Sequence, residues 1–198
     1  MLPAWSGAVD GRPGHIFPSV AGVRFVQVLD KDGLLAAVSG RLRKAARVVV
    51  CGVGNELRGD DAVGLYVARR LSALGTPSFV TVIACGEVPE NYLSEVVAHA
   101  PSHLILVDAA HAELGPGELV LVEGDEISEH AISTHRLPLS LFCRMVSSQT
   151  RRPVEVFILG VQVQSCEFGE ALTPVVRDGA DSLAAALAEA FKRVKGRR

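Results

Sequence analysis

Closely spaced cysteine pairs are missing from this sequence. None of its four cysteines belongs to a CxxC motif, and the four lie far apart. Structural zinc sites and small disulfide frameworks both depend on closely spaced cysteines, so we expect neither. Two of the cysteines lie in an apolar strand and in a helical pattern, which favours buried free thiols. The four are Cys51, Cys85, Cys143 and Cys166.

An excess of charge of one sign and a long apolar run are missing as well. The 198 residues carry a formal net charge of −2, which leaves no electrostatic footprint for nucleic acid or acidic membranes. Only residues 192–198 are basic, and they end a predicted helix, whose dipole favours cations there. No stretch reaches the roughly 18 apolar residues that span a bilayer. The N-terminal residues show no basic region leading into an apolar one. We therefore expect a cytoplasmic protein without membrane insertion.

The chain predicts an N-terminal extension, residues 1–46, followed by an α/β domain, residues 47–198. In the extension, residues 1–20 are rich in glycine and proline, residues 23–29 resemble a strand, and residues 30–46 a helix. Beyond it, apolar strands alternate with amphipathic helices. This order predicts a three-layer α/β fold with a mostly parallel twisted sheet and helices on both faces. The predicted strands of the domain are 47–53, 79–85, 103–110, 118–124 and 154–161, of which 118–124 alternates like an edge strand.

Three aspartates lie at or just beyond the carboxyl ends of predicted strands. Asp108 comes directly after the apolar residues 104–107, and Asp60 and Asp61 follow the glycine turn that leaves strand 47–53. The carboxyl ends of parallel strands meet at one edge of a sheet, which predicts that these acids are close together. Asp60 is expected to cap the next helix, leaving Asp61 to face a cleft. The alternative for Asp108 is a carboxylate that accepts backbone amides in the next turn.

Two neighbouring carboxylates repel each other unless a proton or a metal ion lies between them. A histidine would complete a mixed oxygen and nitrogen set that suits a divalent first-row transition metal. His135 lies in a loop before a helix, and His111 and His130 are rivals on position alone. A surface or capping role is the alternative for each of them. Spacing does not choose among the three histidines.

The glycine loop "GVGNEL", residues 52–57, also admits a nucleotide-binding interpretation, which its neighbours disfavour. The loop lacks the third glycine of GxGxxG and the Lys-Ser/Thr of a phosphate-binding loop. Asp60 and Asp61 would repel a pyrophosphate placed there. We expect no organic cofactor. The loop "GEVPEN", residues 86–91, begins with a glycine that can adopt unusual backbone angles.

Five segments together identify a family resemblance. They are "GVGNELRGDDAVG" (52–64), "GEVPEN" (86–91), "LILVDAAHAELGPGEL" (104–119), "STHRLPLSLF" (133–142) and "FILGVQ" (157–162). In these segments the chain resembles the hydrogenase maturation endopeptidases, which trim the C-terminus of the large subunit of nickel–iron hydrogenases. The resemblance spans about residues 47–192. The N-terminal extension and the loop 125–132 depart from the family pattern.

The resemblance implies a site. In that family the second acid of the glycine-loop motif, the aspartate ending the third strand and the histidine of the "TH" motif bind a metal. Carried onto this chain, these residues are Asp61, Asp108 and His135, which favours His135 over its two rivals. Asp61 and Asp108 are the implied catalytic residues of an aspartic-type endopeptidase.

The implied reaction is one peptide-bond hydrolysis on a hydrogenase large-subunit precursor after nickel insertion. The nickel is then carried by the substrate, and the protease senses it through the three ligands. Gly54, Asn55 and Gly86, in the first two motifs, are predicted to bind the substrate. A nickel-polarised carbonyl and a carboxylate general base both remain possible as the means of activation. The expected partner is the precursor, without nucleic acid, and a monomer is favoured.

Two other classes of function stay open. One is a self-sufficient metallohydrolase with a resident ion, which would be unusual because the sequence has no HExxH helix. The other is a non-catalytic docking protein for hydrogenase assembly. The presence of all three ligand candidates disfavours this docking role.

Overall fold

The computed structural model describes residues 26–123 and 136–195. In these ranges the strands are β1 (Val26–Leu29), β2 (Val48–Val53), β3 (Val80–Gly86), β4 (His103–Ala110), β5 (Leu119–Glu123) and β6 (Glu155–Gln162). The α-helices are α1 (Lys31–Arg41), α2 (Val63–Leu74), α3 (Leu93–Ala98), α4 (Arg136–Gln149) and α5 (Pro174–Lys195). Short 3₁₀ turns cover Leu42–Lys44, Gly59–Ala62 and Pro89–Tyr92. None of the described helices has both the length and the apolar character that crossing a membrane requires.

The six described strands form one sheet in the order β1-β5-β6-β4-β2-β3. Strands β3, β2, β4 and β6 pair in parallel. Strand β5 is antiparallel to β6, and β1 is antiparallel to β5, so five of the six strands point the same way. The prediction of a mostly parallel sheet is confirmed. As a result, the chain leaves β2, β3, β4 and β6 at the same edge, which we call the carboxyl edge.

Both faces of the sheet are covered by helices, which confirms the three-layer prediction. On one face, side chains of α1, α2 and α5 form a core with alternate residues of the strands, Ile105 and Val107 of β4 among them. On the other face, α3 and α4 pack on Leu104 and Leu106. All eight residues of β4 are buried. The near-continuous apolar runs of β2 and β4 reflect this burial on both sides of the two strands.

The prediction of an exposed or edge position for strand 118–124 is wrong. β5 pairs with β6 on one side and with β1 on the other, and four of its five residues are buried. The strand that covers it comes from the predicted N-terminal extension, far away in the sequence. A pattern within 118–124 alone could not reveal that partner.

Helix α2 lies unusually close to the sheet. A Cβ on Gly64 would collide with the carbonyl oxygens of Val53 and Val107, so only glycine allows this approach. Because Gly64 is the second residue of α2, the helix begins directly above the ends of β2 and β4. The residues just before it are thereby held at the carboxyl edge.

Candidate functional site

Asp61 lies in the 3₁₀ turn between β2 and α2, and its side chain is buried, with 6% exposed. The backbone N–H of Asn55 donates to Asp61 Oδ2 at 3.2 Å and also contacts the Asp61 carbonyl oxygen at 3.3 Å. Among the described residues, no group donates a hydrogen bond to the other carboxylate oxygen, Oδ1. Burial disfavours an uncompensated charge. Asp61 therefore has one oxygen to offer to a ligand.

The glycine turn before Asp61 depends on Gly54. Its φ of +146° is one that L side chains rarely adopt, and a Cβ there would collide with the Asp61 carbonyl oxygen. Its N–H donates to the carbonyl oxygen of Gly86 at 3.1 Å. Gly54 and Gly86, both predicted to bind substrate, thus join the loops that follow β2 and β3. Their contact with substrate stays a prediction.

Asn55 is the third of these residues, and both polar atoms of its side chain form hydrogen bonds within the protein. Its Nδ2 donates to Glu87 Oε1 at 2.7 Å, and its Oδ1 accepts from the N–H of Leu57 at 2.8 Å. Because Glu87 follows Gly86, this is a second bond between the same two loops. Asn55 therefore positions the backbone N–H that holds Asp61, and its substrate contact also stays a prediction.

The prediction that Asp60 caps helix α2 is wrong. The cap position belongs to Ala62, which makes no side-chain cap bond. The fully buried Asp60 carboxylate instead accepts hydrogen bonds from the N–H groups of Gln164, Ser165 and Thr173, at 2.7 to 3.0 Å, and from the Thr173 hydroxyl. Asp60 binds the loop between β6 and α5. Sequence reasoning missed this role because the partners are about a hundred residues away.

Asp108 is fully buried in β4, two residues before that strand ends. Its Oδ1 accepts a hydrogen bond from the N–H of Ala109 at 2.8 Å. This is the contact expected from the alternative interpretation, in which the carboxylate accepts backbone amides of the next turn. In the parallel register Gly52 pairs with Val107, so Asp108 lies one residue beyond the paired part of β2. The sheet brings Asp108 and the turn of Asp61 to the carboxyl edge.

The histidine ligand is the part of the predicted site that lies outside the described residues. His135 and its rival His130 both belong to residues 124–135. His111, the other rival, is exposed just after β4. Within the described ranges no three His, Cys, Asp or Glu side chains form a group that could hold a metal ion. The three-ligand set therefore stays a prediction.

Cys166 lies near the site, and the sequence alone predicted no more for it than a buried thiol. Cys51, Cys85 and Cys143 are buried, whereas Cys166 is half-buried, and all four are free. Burial, followed by the negative charges of Asp61 and Asp60, raises the pKa of the Cys166 thiol to about 11. The thiol is therefore protonated at neutral pH and a poor nucleophile. The sequence signal that could have placed Cys166 near the site is its position just after the last strand, β6, at the carboxyl edge.

A cavity of about 540 Å³ lies at the opposite edge of the sheet. It is lined by residues that include Arg47, Arg151 and Arg152, at the amino ends of the strands. Ligand sites of open parallel sheets lie at the carboxyl ends, where the buried aspartates are. We therefore assign the candidate site to the carboxyl edge and not to this cavity.

Fold and site together define an α/β protein with buried carboxylates at the carboxyl edge of a mostly parallel sheet. Residues 65–190 match the family model described as hydrogenase maturation protease, a range that includes Asp108 and His135 and begins just after Asp61. This chain belongs to the hydrogenase maturation protease family, as its five motifs predicted.

Relatives support the same assignment. A putative hydrogenase maturation protease of Methanocaldococcus jannaschii is 30% identical over 162 residues, which cover 78% of this chain and 94% of the relative. The hydrogenase 3 maturation protease of Escherichia coli K12 is 31% identical over 137 residues, 69% of this chain and 85% of the relative. The crystal structure of the [NiFe] hydrogenase maturation protease HycI from Thermococcus kodakarensis superposes with a TM-score of 0.72 at 33% identity. That match covers 79% of this chain and 99% of the other.

Proposed function

We propose that this protein is the endopeptidase that removes the C-terminal peptide of a nickel–iron hydrogenase large-subunit precursor after nickel has been inserted. Membership of the maturation protease family supports the peptidase activity and this class of substrate. The observation that carries the site assignment is the buried carboxylate of Asp61. Its Oδ1 accepts no hydrogen bond from the described residues and lies at the edge where ligands of such sheets bind.

In this proposal the nickel is part of the substrate. Asp61, Asp108 and His135 complete the coordination of an ion that the precursor already holds. A set of two carboxylates and an imidazole suits a divalent first-row metal. The ion then anchors the precursor and orients the scissile bond, which lowers the entropic part of the barrier. A precursor without nickel lacks that anchor, so metal insertion precedes cleavage.

In an aspartic-type endopeptidase, one carboxylate acts as the general base during hydrolysis. It accepts a proton as water attacks the scissile carbonyl carbon, and the proton then passes to the departing amine nitrogen. Asp61 suits this step, since its Oδ1 is not occupied by a described donor. Asp108 is the second acid at the same edge. A cytoplasmic location and a monomeric state belong to the same proposal.

The decisive experiment compares nickel-loaded with nickel-free precursor. We expect mass spectrometry to show loss of the C-terminal peptide only for loaded precursor mixed with the wild-type protein. Asp61→Asn keeps the size of the side chain but removes its charge, and we expect no cleavage. Equal cleavage of nickel-free precursor would contradict the nickel-sensing mechanism. Binding of loaded precursor without any cleavage would favour the docking-protein alternative.

A further inference from the structure

Large apolar side chains are exposed around the candidate site. Phe168 is 75% exposed, Leu57 60% and Val88 47%. They come from three loops at the carboxyl edge, which follow β6, β2 and β3 respectively. We call Leu57, Val88 and Phe168 the apolar rim. Exposed apolar side chains that gather near a site mark interaction surfaces, whereas scattered ones need no explanation.

Hydrogen bonds join the three loops of the apolar rim. The N–H of Gly169 donates to the carbonyl oxygen of Leu57 at 2.8 Å, which ties the loop of Phe168 to that of Leu57. Asn55 accepts from the N–H of Leu57 and donates to Glu87, the neighbour of Val88. The N–H of the same Asn55 donates to Asp61. The rim is therefore built around the residue that holds the candidate catalytic carboxylate.

The loop that presents Phe168 is held in place at both ends. The buried Asp60 carboxylate accepts hydrogen bonds from Gln164 and Ser165 on one side of Phe168 and from Thr173 on the other. A surface that is already ordered loses little conformational entropy on binding. Asp60 thus helps to order the loop that exposes Phe168.

The charge of these loops indicates the chemistry of that partner. Residues 54–62, 86–91 and 163–173 contain three, two and two acidic residues and one basic residue, Arg58. Asp60 is buried among them and Glu56 pairs with Arg69 of α2, but acidic side chains still outnumber basic ones on this surface. An apolar segment with neighbouring lysine or arginine side chains complements this surface. A partner of the same sign would be repelled.

We propose that the apolar rim docks an apolar segment of the hydrogenase large-subunit precursor that is flanked by basic side chains. Docking there brings the precursor to Asp61. This inference rests on the proposed function, because it takes the precursor as the partner. It adds the surface and the class of segment that this surface recognises.

The test uses Phe168→Ser and Leu57→Ser, singly and combined, against Leu74→Ser. Leu74 is 46% exposed but ends α2, about 16 Å along the helix from its start at the carboxyl edge, so it is a matched control. Binding of nickel-loaded precursor is measured by surface plasmon resonance, and cleavage by steady-state kinetics. Thermal melting confirms that each variant is folded, and Val88→Ser replaces any that is not.

We expect the double variant to raise Kd and KM about tenfold or more while kcat changes little, since the rim binds but does not react. Leu74→Ser should stay within about twofold of wild type. Glu167→Gln and added salt should also weaken binding, because both reduce the charge attraction.

Unchanged Kd and KM in the double variant would overturn the docking surface. If Asp61→Asn still abolished cleavage in that case, the proposed function would stand without it. If wild type bound the precursor but did not cleave it, the proposed function would fail, and the rim would be judged by the binding data alone. If the wild-type protein did not bind nickel-loaded precursor, both the docking surface and the proposed function would be overturned.

Discussion

At the scale of single residues, two adjacent aspartates have different environments. Asp60 is saturated by four hydrogen bonds from another loop, whereas Asp61 accepts one from the described residues. Both are buried, so the difference lies in their partners. A carboxylate whose lone pairs are filled holds structure. One with an unfilled oxygen suits ligand binding or proton transfer.

Asp60→Ala should destabilise the protein by about 3 kcal/mol, because it leaves buried N–H groups without an acceptor. Asp61→Ala should change stability much less and abolish cleavage of nickel-loaded precursor. Chemical denaturation measures the free energy of unfolding of both variants, and mass spectrometry measures cleavage. Equal destabilisation by the two changes would contradict this assignment.

His135→Gln should abolish cleavage of loaded precursor, because an amide is a much poorer nickel ligand than an imidazole. His111→Gln is the matched control and should retain activity, since His111 is exposed and has no proposed role. Cleavage should also decline below about pH 6.5, where an ordinary imidazole gains a proton and can no longer bind metal. Full activity of His135→Gln would exclude it as a ligand, and loss in His111→Gln would move the imidazole there.

Cys166 should react slowly with iodoacetamide at pH 8, because burial and the charges of Asp61 and Asp60 raise its pKa to about 11. Asp61→Asn removes one of these charges, so more thiolate forms at a given pH and alkylation should accelerate. Peptide mapping by mass spectrometry identifies the modified cysteine. A rate that does not respond to Asp61→Asn would contradict the electrostatic link between the two side chains.

At the scale of elements, β1 and α1 belong to the same sheet and core as the rest of the described chain. β1 covers β5, and Leu34, Val38 and Leu42 are fully buried. The predicted strand 23–29 and helix 30–46 correspond to β1, to α1 and to the 3₁₀ turn that ends at Lys44. Residues 26–44 therefore contribute directly to the packing of the α/β fold.

Leu34→Ala should cost about 3 kcal/mol of unfolding free energy, because the side chain leaves a cavity in the core. Leu35→Ala, one position along the same helix and only partly buried, should cost clearly less. Urea denaturation of the two variants measures the difference. Equal and negligible effects would mean that α1 contributes little to the core.

At the scale of the whole molecule, the two edges of the sheet differ in charge. The acidic loops and the candidate site occupy the carboxyl edge, and the arginine-lined cavity occupies the other. The net charge of −2 conceals this separation. An acidic edge attracts cations and basic segments, which agrees with our proposal that the substrate brings its own metal ion.

The purified protein without precursor should bind divalent metal weakly, because the proposed ligands include a single nitrogen and, in our proposal, the precursor supplies the remaining donors. Elemental analysis after dialysis against EDTA should show far less than one ion per chain. Stoichiometric zinc that survives this treatment would favour a self-sufficient metallohydrolase instead.

Local sequence patterns suffice to predict the mostly parallel part of the sheet, its two helical faces and the edge on which the acids gather. Long apolar runs and helical periodicity are local patterns, and parallel strands bring their carboxyl ends together whatever the loops contain. The five motifs also sufficed to identify the family.

Three features follow from tertiary contacts and not from local patterns: the partners of Asp60, the covering of β5 by β1 and the proximity of Cys166 to Asp61. Each of these depends on contacts between segments that are far apart in the chain. A hydrogen bond or an electrostatic interaction requires a few ångströms of separation, and local sequence patterns do not specify such distances between remote segments.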